Sequence, residues 1–388
     1  MRETAVLARR VPLARVAGVV AFTLALVWFM GGQRVLGRID PALVLPLLPV
    51  PALLLALSQR GSDRNARLGA IGFALAMLMV AQVVSALVLA DRSPWPQLGI
   101  VAPGWVAFAI AADFLLQWRR SRAVTTILAL LLVGGGFVAG HAALALLYRP
   151  PPAAGQPVTM LTGLPLRWSG GSDFAAMIAE GANEDPSLLR LEAAGPVRLV
   201  DSLVDNPPPP SGTLLLAHPR ALAPRELVAV DAFVRGGGHA VILADALTAW
   251  PMRHPLGDPR NPPITSLLTP LFDHWGVVLG AVPQAGNRAA VVDVDGARLR
   301  LFSAGQFERL PPTCSVYASR RVARCRVGRG ETWLVGDADL LFAPLWQPPQ
   351  QWASHLRRAD TMEWLALNLW AGAPQAAFEP LWIRALSE

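Results

Sequence analysis

The hydrophobic positions of the chain change their pattern near the middle. Before Tyr148 they form long apolar runs, whereas after Pro157 they form short runs separated by polar residues, glycine and proline. Runs of about 20 apolar residues are typical of transmembrane helices, and short runs with turn residues between them are typical of an α/β domain. The pattern predicts a membrane domain over residues 1–148, a proline-rich linker over 149–157 and an α/β domain over 158–388.

Five apolar runs in the first part are long enough to cross a bilayer as helices. The second run is interrupted by four prolines, each of which lacks a backbone donor, so a re-entrant segment is its alternative and would reverse the topology. We expect five spans. They cover residues 14–30, 41–57, 68–90, 98–118 and 123–147.

Charge supports this division. Hydrophobic residues make up 53% of the chain and charged residues 16%, against about 25% charged residues in an average soluble domain. Residues 1–150 carry nine more arginines than acids, and residues 151–388 carry two more acids than arginines. Because the second part has no basic excess, nucleic-acid binding is not expected.

The arginines also predict the orientation. The N-terminus and the loops at residues 58–67 and 119–122 are arginine-rich, whereas the loops between them hold fewer arginines. The positive-inside rule then places the N-terminus in the cytoplasm. With five spans, we expect a multi-pass protein of the bacterial inner membrane whose C-terminal domain lies in the periplasm.

Two ionisable residues lie inside the predicted spans. Asp113 and His141 fall near opposite ends of two antiparallel spans, so we do not expect them to form a proton relay. The simpler interpretation is that Asp113 reaches the membrane interface beside Arg119 and that His141 bonds to a neighbouring backbone group.

The second part alternates strand-like and helix-like runs. A strand, helix, strand unit of this kind indicates a parallel sheet covered by helices, and Asp295-Gly296 between two apolar runs indicates a hairpin. A terminal helix is expected to pack on the sheet. The predicted strands are 197–203, 213–217, 239–244, 290–294 and 298–302, and the predicted helices are 224–235 and 352–370.

Cys314 and Cys325 are the only cysteines. They are symmetric about a hairpin turn at Ser319 and Arg320, so they would face each other across two strands at a separation that suits a disulfide. An oxidising compartment favours that bond. Two free buried thiols are the alternative, and a zinc site is disfavoured because no histidine lies nearby.

Two stretches resemble a known family. Residues 213–245 (TLLLAHPRALAPRELVAVDAFVRGGGHAVILAD) and 330–342 (GETWLVGDADLLF) are similar to the GldG-like, gliding-motility type of auxiliary component in ABC-type transport systems. Ala246 stands where that family usually has proline. The resemblance implies a flavodoxin-like or amidotransferase-like parallel sheet with an antiparallel extension. It also implies a domain outside the membrane that works beside ATPase and permease subunits.

Four polar residues follow predicted strands and are the candidate ligand-binding residues. They are His218, Asp245, Asp337 and Asp339. The carboxyl ends of strands converge in doubly wound sheets, so these side chains are expected at one edge. Helix caps and turn formers are the alternative role. The proline-rich segment 250–263 is expected to form a loop near this edge or a partner surface.

The motifs favour a non-catalytic protein. The chain holds no Gly-x-Cys-x-Gly or Gly-x-Ser-x-Gly elbow and no Walker A loop. We therefore expect a membrane-anchored auxiliary component of an ABC-type transport or envelope system, with no cofactor and no metal. Two alternatives stay open: a metal-dependent transferase or hydrolase that uses Asp337 and Asp339, and a structural envelope scaffold.

Overall fold

The computed structural model describes residues 13–90, 92–118, 121–169, 182–252, 254–255, 257–258, 260–281, 289–302, 305–348 and 351–384. The chain forms two compact units. The first comprises Met1–Arg149, Gln350–Leu356 and Ala376–Glu388, and the second comprises Pro150–Pro349 and Arg357–Gln375. Two C-terminal segments therefore belong to the first unit, whereas the sequence pattern assigned them to the α/β domain. The boundaries at 148 and 158 stay predictions.

The first unit is helical. Its elements are α1 Leu13–Phe29, α2 Gln33–Leu36, a 3₁₀ helix Pro41–Leu47, α3 Pro49–Ser58, α4 Arg64–Leu89, α5 Trp95–Gln117, α6 Arg122–Tyr148 and, near the C-terminus, a 3₁₀ helix Gln351–Leu356. Asp63 and Ser121 begin α4 and α6, because their side chains accept hydrogen bonds from the free backbone N–H groups of the first turn.

Four stretches are long and apolar enough to cross a membrane: Leu13–Leu36, Arg64–Leu89, Trp95–Gln117 and Arg122–Tyr148. The second predicted run is broken, since Pro41–Leu47 and Pro49–Ser58 meet at an angle of 68°. Proline removes helix hydrogen bonds at this position. Within the described residues the number of candidate spans is four, or five if the bent pair is one span. The predicted orientation also uses Arg2, Arg9, Arg10, Arg119 and Arg120, which lie outside the described residues.

Glycines bring α6 close to the bent pair. A Cβ atom added to Gly140 would lie 2.5 Å from the backbone of Pro46, and one added to Gly136 would overlap Pro49. Because α6 continues unbroken from Arg122 to Tyr148, these glycines permit close packing and do not kink the helix.

The two ionisable residues of the spans have partners that sequence reasoning did not find. Asp113 forms an ion pair with Arg67 of α4, with 2.9 Å between Nε of Arg67 and Oδ1 of Asp113. His141 Nδ1 lies 3.0 Å from Nε2 of His355, which belongs to the segment Gln350–Leu356, and sequence reasoning did not predict this side-chain contact. The two residues thus bind separate partners.

The last described residues of the chain, 376–384, return to the helices of the first unit. Phe378 N–H donates to the carbonyl of Leu147 at 2.9 Å, and Ile39 N–H donates to the carbonyl of Leu381 at 2.8 Å. Backbone pairing of this kind leaves no hydrophobic period in the sequence, so the pattern gave no sign of it.

The second unit is built around a seven-stranded sheet, whose strands are β1 Val158–Thr162, β4 Val197–Leu199, β5 Thr213–Ala217, β6 His239–Leu243, β11 Cys314–Tyr317, β12 Val322–Val327 and β13 Gly330–Val335. Their order in the sheet is β11-β12-β13-β6-β5-β1-β4. The five strands from β13 to β4 are parallel, and β11 and β12 add antiparallel pairs at one edge. The predicted fold class, membrane helices followed by an α/β sheet with an antiparallel extension, is confirmed.

Smaller sheets and helices complete this unit. Three two-stranded sheets pair β2 Arg167–Ser169 with β3 Ala182–Glu184, β7 Val278–Ala281 with β10 Gly305–Arg309, and β8 Ala290–Val294 with β9 Ala297–Leu301. The helices are α7 Pro186–Ala194, α8 Pro224–Arg235, α9 Thr269–Trp275, α10 Ala343–Trp346 and α11 Thr361–Leu369, and the 3₁₀ helices are Ala318–Arg320 and Asp339–Leu341. The predicted β5 and α8 have the observed bounds. The strand predicted over 197–203 corresponds to β4, which is shorter and ends at Leu199.

The terminal helix predicted over 352–370 is wrong in extent, since α11 begins only at Thr361. The cause is Asp360, whose N–H donates to the carbonyl of Arg298 at 2.7 Å and whose Oδ2 accepts from the N–H of Arg298 at 3.1 Å. These bonds tie the backbone to β9 and interrupt the helix. Met362, Leu365 and Leu369 pack in the sheet core as expected.

The two cysteines lie opposite each other on β11 and β12. Cys314 pairs with Cys325 in the ladder, and a disulfide joins them. The turn between the strands contains Ala318, Ser319 and Arg320, all with positive φ. The bond therefore closes the hairpin at the antiparallel edge of the sheet.

Candidate functional site

The four predicted site residues lie at one edge of the central sheet. β5, β6 and β13 are parallel neighbours, and the register aligns Ala217 and Val335 with Leu243 of β6. Three strands therefore end level with one another. The residues that follow these ends are His218, Asp245, Asp337 and Asp339, and all four are buried.

Three of them bring their carboxylates together. Each of Asp245, Asp337 and Asp339 offers an oxygen atom, and these atoms lie within 4.8 Å of one another. The exposed fractions are 0%, 0% and 1%. Three carboxylates so close in a buried place repel one another unless a proton or a cation reduces their charge.

Asp339 is held from both sides of its carboxylate. The hydroxyl of Thr248 donates to Oδ1 at 2.8 Å, and the backbone N–H of Ala249 donates to Oδ2 at 2.6 Å. Both partners belong to the loop after β6. Hydrogen bonds to both oxygens fix the plane of the carboxylate and leave further lone pairs for another ligand.

Asp337 is fixed less completely. Its Oδ2 accepts from the backbone N–H of Phe302. Among the described residues, its Oδ1 has no hydrogen-bond partner. Burial, and then the negative charge of Asp339, raise the pKa of Asp337 to about 8, although nearby backbone N–H groups act in the opposite direction. Without a cation, burial and the charge of Asp339 favour the protonated form of this carboxyl group.

His218 bonds to the backbone of the site and is not a member of the cluster formed by Asp245, Asp337 and Asp339. Its Nδ1 accepts from the N–H of Asp245 at 3.2 Å, and its Nε2 lies 2.8 Å from the carbonyl of Pro263. These two partners require a neutral ring with the proton on Nε2. Burial lowers the pKa of His218, and the Pro263 carbonyl and Asp339 oppose this in part.

Some site residues were not identified from the sequence. Thr248, Ala249 and Phe302 hold the carboxylates but carry no motif, because two of them act through backbone groups and Thr248 lies in an irregular loop. The segment 250–263 was expected near this edge, and its Pro263 does contact His218.

A cavity opens beside the carboxylates. It has a volume of about 250 Å³, and Asp245 forms part of its wall together with Ser266, Phe272 and Asp273. Its size suits an ion with water or a small polar molecule.

We expect a His218→Asn variant to be less stable than the wild type at pH 7.5, by about 1–2 kcal/mol for two weakened hydrogen bonds. Asparagine suits the positive φ of 48° at this position. Because the folded-state pKa of His218 lies below 6.5, the stability from the neutral ring is present above pH 6.5 and is lost as the pH falls toward the folded value.

The measurement is the melting temperature of both full-length proteins in detergent from pH 7.5 to pH 5. The difference between them should shrink on acidification. A difference that stays constant over this range would show that the buried ring is not the titrating group.

The chain combines helices long and apolar enough to cross a membrane with an α/β unit, and three buried carboxylates lie at the strand ends of that unit. Residues 191–312 match the family model described as "ABC-type uncharacterized transport system". This region contains β5, α8 and β6, so the resemblance to the auxiliary family of ABC-type transport systems is confirmed at that level. Asp337 and Asp339 lie beyond the matched region. The chain matches no curated protein sequence.

Solved structures show weak similarity. An exo-β-1,4-mannosidase from Opitutaceae bacterium strain TAV5 has 13% identity and a TM-score of 0.32 over 62% of this chain and 39% of its own. A cytoplasmic protein from Salmonella typhimurium LT2 has 9% identity and a TM-score of 0.31 over 54% of this chain and 94% of its own. A β-galactosidase from Bacillus circulans sp. alkalophilus has 12% identity and a TM-score of 0.27 over 54% and 33%. Similarity at this level assigns neither an activity nor a substrate to this chain.

Proposed function

We propose that the chain is a membrane-anchored, non-catalytic accessory component of an ABC-type transport or envelope system. The observation that carries the proposal is the family match over residues 191–312 in a chain that also has four helices long and apolar enough to cross a membrane. Its partners are an ATPase subunit and a permease subunit, and its α/β unit binds a ligand or partner at the edge that holds His218 and the three carboxylates.

We place this protein in the bacterial inner membrane with the α/β unit in the periplasm. The arginine distribution supports this placement when the bent pair counts as one span. The disulfide between Cys314 and Cys325 is compatible with an oxidising compartment.

The motifs favour binding over catalysis. The sequence holds no Gly-x-Cys-x-Gly or Gly-x-Ser-x-Gly elbow and no Walker A loop. The side chain of Thr248 donates to Asp339 and serves to orient that carboxylate.

The test is affinity purification of the tagged full-length chain from native membranes in a mild detergent, followed by mass spectrometry. We expect an ATPase subunit and a permease subunit of one ABC-type system to be enriched together. An unrelated tagged multi-pass protein from the same membranes is the control. Enrichment of neither subunit over that control would contradict the proposal.

A further inference from the structure

The carboxylates of Asp245, Asp337 and Asp339 come from two separate parts of the chain. Asp245 follows β6, and the other two follow β13, so the group exists only because these strands are neighbours in the sheet. In this respect the three carboxylates differ from a run of solvated acidic residues, which lie close together because they are neighbours in one surface loop. The oxygen atoms converge in a buried place, which is unfavourable for three carboxylates by themselves.

A second observation points to a ligand. The side chain of Asp337 is fully buried, and among the described residues its Oδ1 has no hydrogen-bond partner. Buried polar atoms are satisfied in most native structures, and an exception requires an explanation such as a bound ion. Asp337 offers one of its oxygens to the group of atoms that lie within 4.8 Å of one another, so an ion bound there in contact with Oδ1 would satisfy it.

We infer that Asp245, Asp337 and Asp339 form a binding site for a calcium ion. Carboxylate oxygens are the ligands preferred by hard divalent cations. Ca²⁺ takes several carboxylate ligands in a flexible geometry, whereas Mg²⁺ is usually bound through one or two carboxylates and keeps several waters. A group of three carboxylates therefore suits Ca²⁺ better.

The surroundings support such a site. Thr248 and Ala249 orient the carboxylate of Asp339, in the way that outer-sphere hydrogen bonds orient metal ligands. The cavity bordered by Asp245 offers a path for the ion and room for coordinating water. The ion would connect the ends of β6 and β13 and so stabilise the edge where the proposed function places ligand binding.

The test measures the melting temperature of the full-length protein in detergent, first with EDTA and then with an excess of CaCl₂. A ligand that binds only the folded state stabilises it, and we expect a rise of about 5 °C at a Ca²⁺ concentration 100-fold above the Kd. Asp337→Asn should abolish the rise. The matched control is Asp205→Asn, which changes an exposed acid outside this cavity and should keep the rise.

Two outcomes would overturn the inference: no rise with CaCl₂ in the wild type, or an equal rise in the wild type and in Asp337→Asn. A rise with MgCl₂ but none with CaCl₂ would also overturn the choice of ion. This inference extends the proposed function of the same edge, and the tests are separable. Loss of the calcium effect leaves co-purification with the ATPase and permease unaffected, and failure of co-purification leaves the calcium effect unaffected.

Discussion

In EDTA, the unfolding free energy of the wild-type protein is expected to fall between pH 5 and pH 8, and Asp337→Asn is expected to remove most of that fall. The pKa of Asp337 is raised from 3.8 to about 8 by burial and by Asp339. Between these two values the folded state holds a proton that the unfolded state has released. Stability therefore decreases as the pH rises.

The size of this effect follows from the shift. Each pH unit between the unfolded and folded pKa values contributes about 1.4 kcal/mol, which gives about 4 kcal/mol at most from pH 5 to pH 8. Asparagine resembles the protonated carboxyl group in shape and cannot ionise. We therefore expect the variant to be as stable as the wild type near pH 5 and more stable near pH 8.

Thermal unfolding of both full-length proteins across this pH range checks the prediction. The exposed Asp273 provides the control, since Asp273→Asn should keep the wild-type pH profile. Parallel profiles for the wild type and Asp337→Asn would show that Asp337 is already ionised when folded. An added excess of CaCl₂ should flatten the wild-type profile, because an ion replaces the proton.

The sequence was sufficient to predict the elements whose pattern is local. β5 and α8 were predicted with their observed bounds, since a buried parallel strand is a short apolar run and α8 has a proline at its first turn and glycines after its end. The hairpin at Asp295-Gly296 was also predicted from a local pattern, an Asp-Gly pair between two apolar runs. In the structure both residues adopt the positive φ that this turn requires.

The site could be predicted only in part. The rule that strand ends converge placed His218, Asp245, Asp337 and Asp339 at one edge, but it could not give their distances, because these depend on which strands are neighbours. β13 lies beside β6 although several strands separate them along the chain. The hydrogen bonds of Ala249 and Phe302 come from backbone groups, which any residue could supply.

Long-range backbone pairing explains the remaining differences. Asp360 pairs with Arg298 and ends a helical pattern that looks continuous in the sequence. The C-terminal segment pairs with Ile39 and Leu147 in the same way, and its composition shows no hydrophobic period. Such contacts depend on the tertiary structure, so a local pattern cannot reveal them.

The largest loss of stability in the first unit is expected from Arg38→Ala. Arg38 is fully buried, and its Nη2 donates to Asp40 Oδ2 at 2.7 Å. Its Nη1 donates to the carbonyl of His355 at 3.1 Å, and its guanidinium lies over the rings of Tyr148 and Trp382. The side chain of Arg38 thus connects the start of the bent pair with α6 and with both C-terminal segments of the first unit.

Removal of this arginine leaves Asp40 buried without its cation. Asp40 would keep hydrogen bonds from the Tyr148 hydroxyl and the Ala42 N–H, but these do not replace the lost charge. Loss of one partner of a buried ion pair costs about 3–5 kcal/mol. We therefore expect a large decrease in the melting temperature of the full-length protein in detergent, observed by intrinsic tryptophan fluorescence.

Two further variants test the cause of the loss. Arg34→Ala removes an exposed arginine of the neighbouring helix α2 and should have little effect. The double variant Arg38→Met with Asp40→Asn removes both charges and fills the space, so it should recover a good part of the loss, because a buried pair can often be replaced by neutral groups of similar volume. If the double variant is as unstable as Arg38→Ala, the stabilising role of Arg38 lies in its contacts with His355 and the aromatic rings and not in the charge of Asp40.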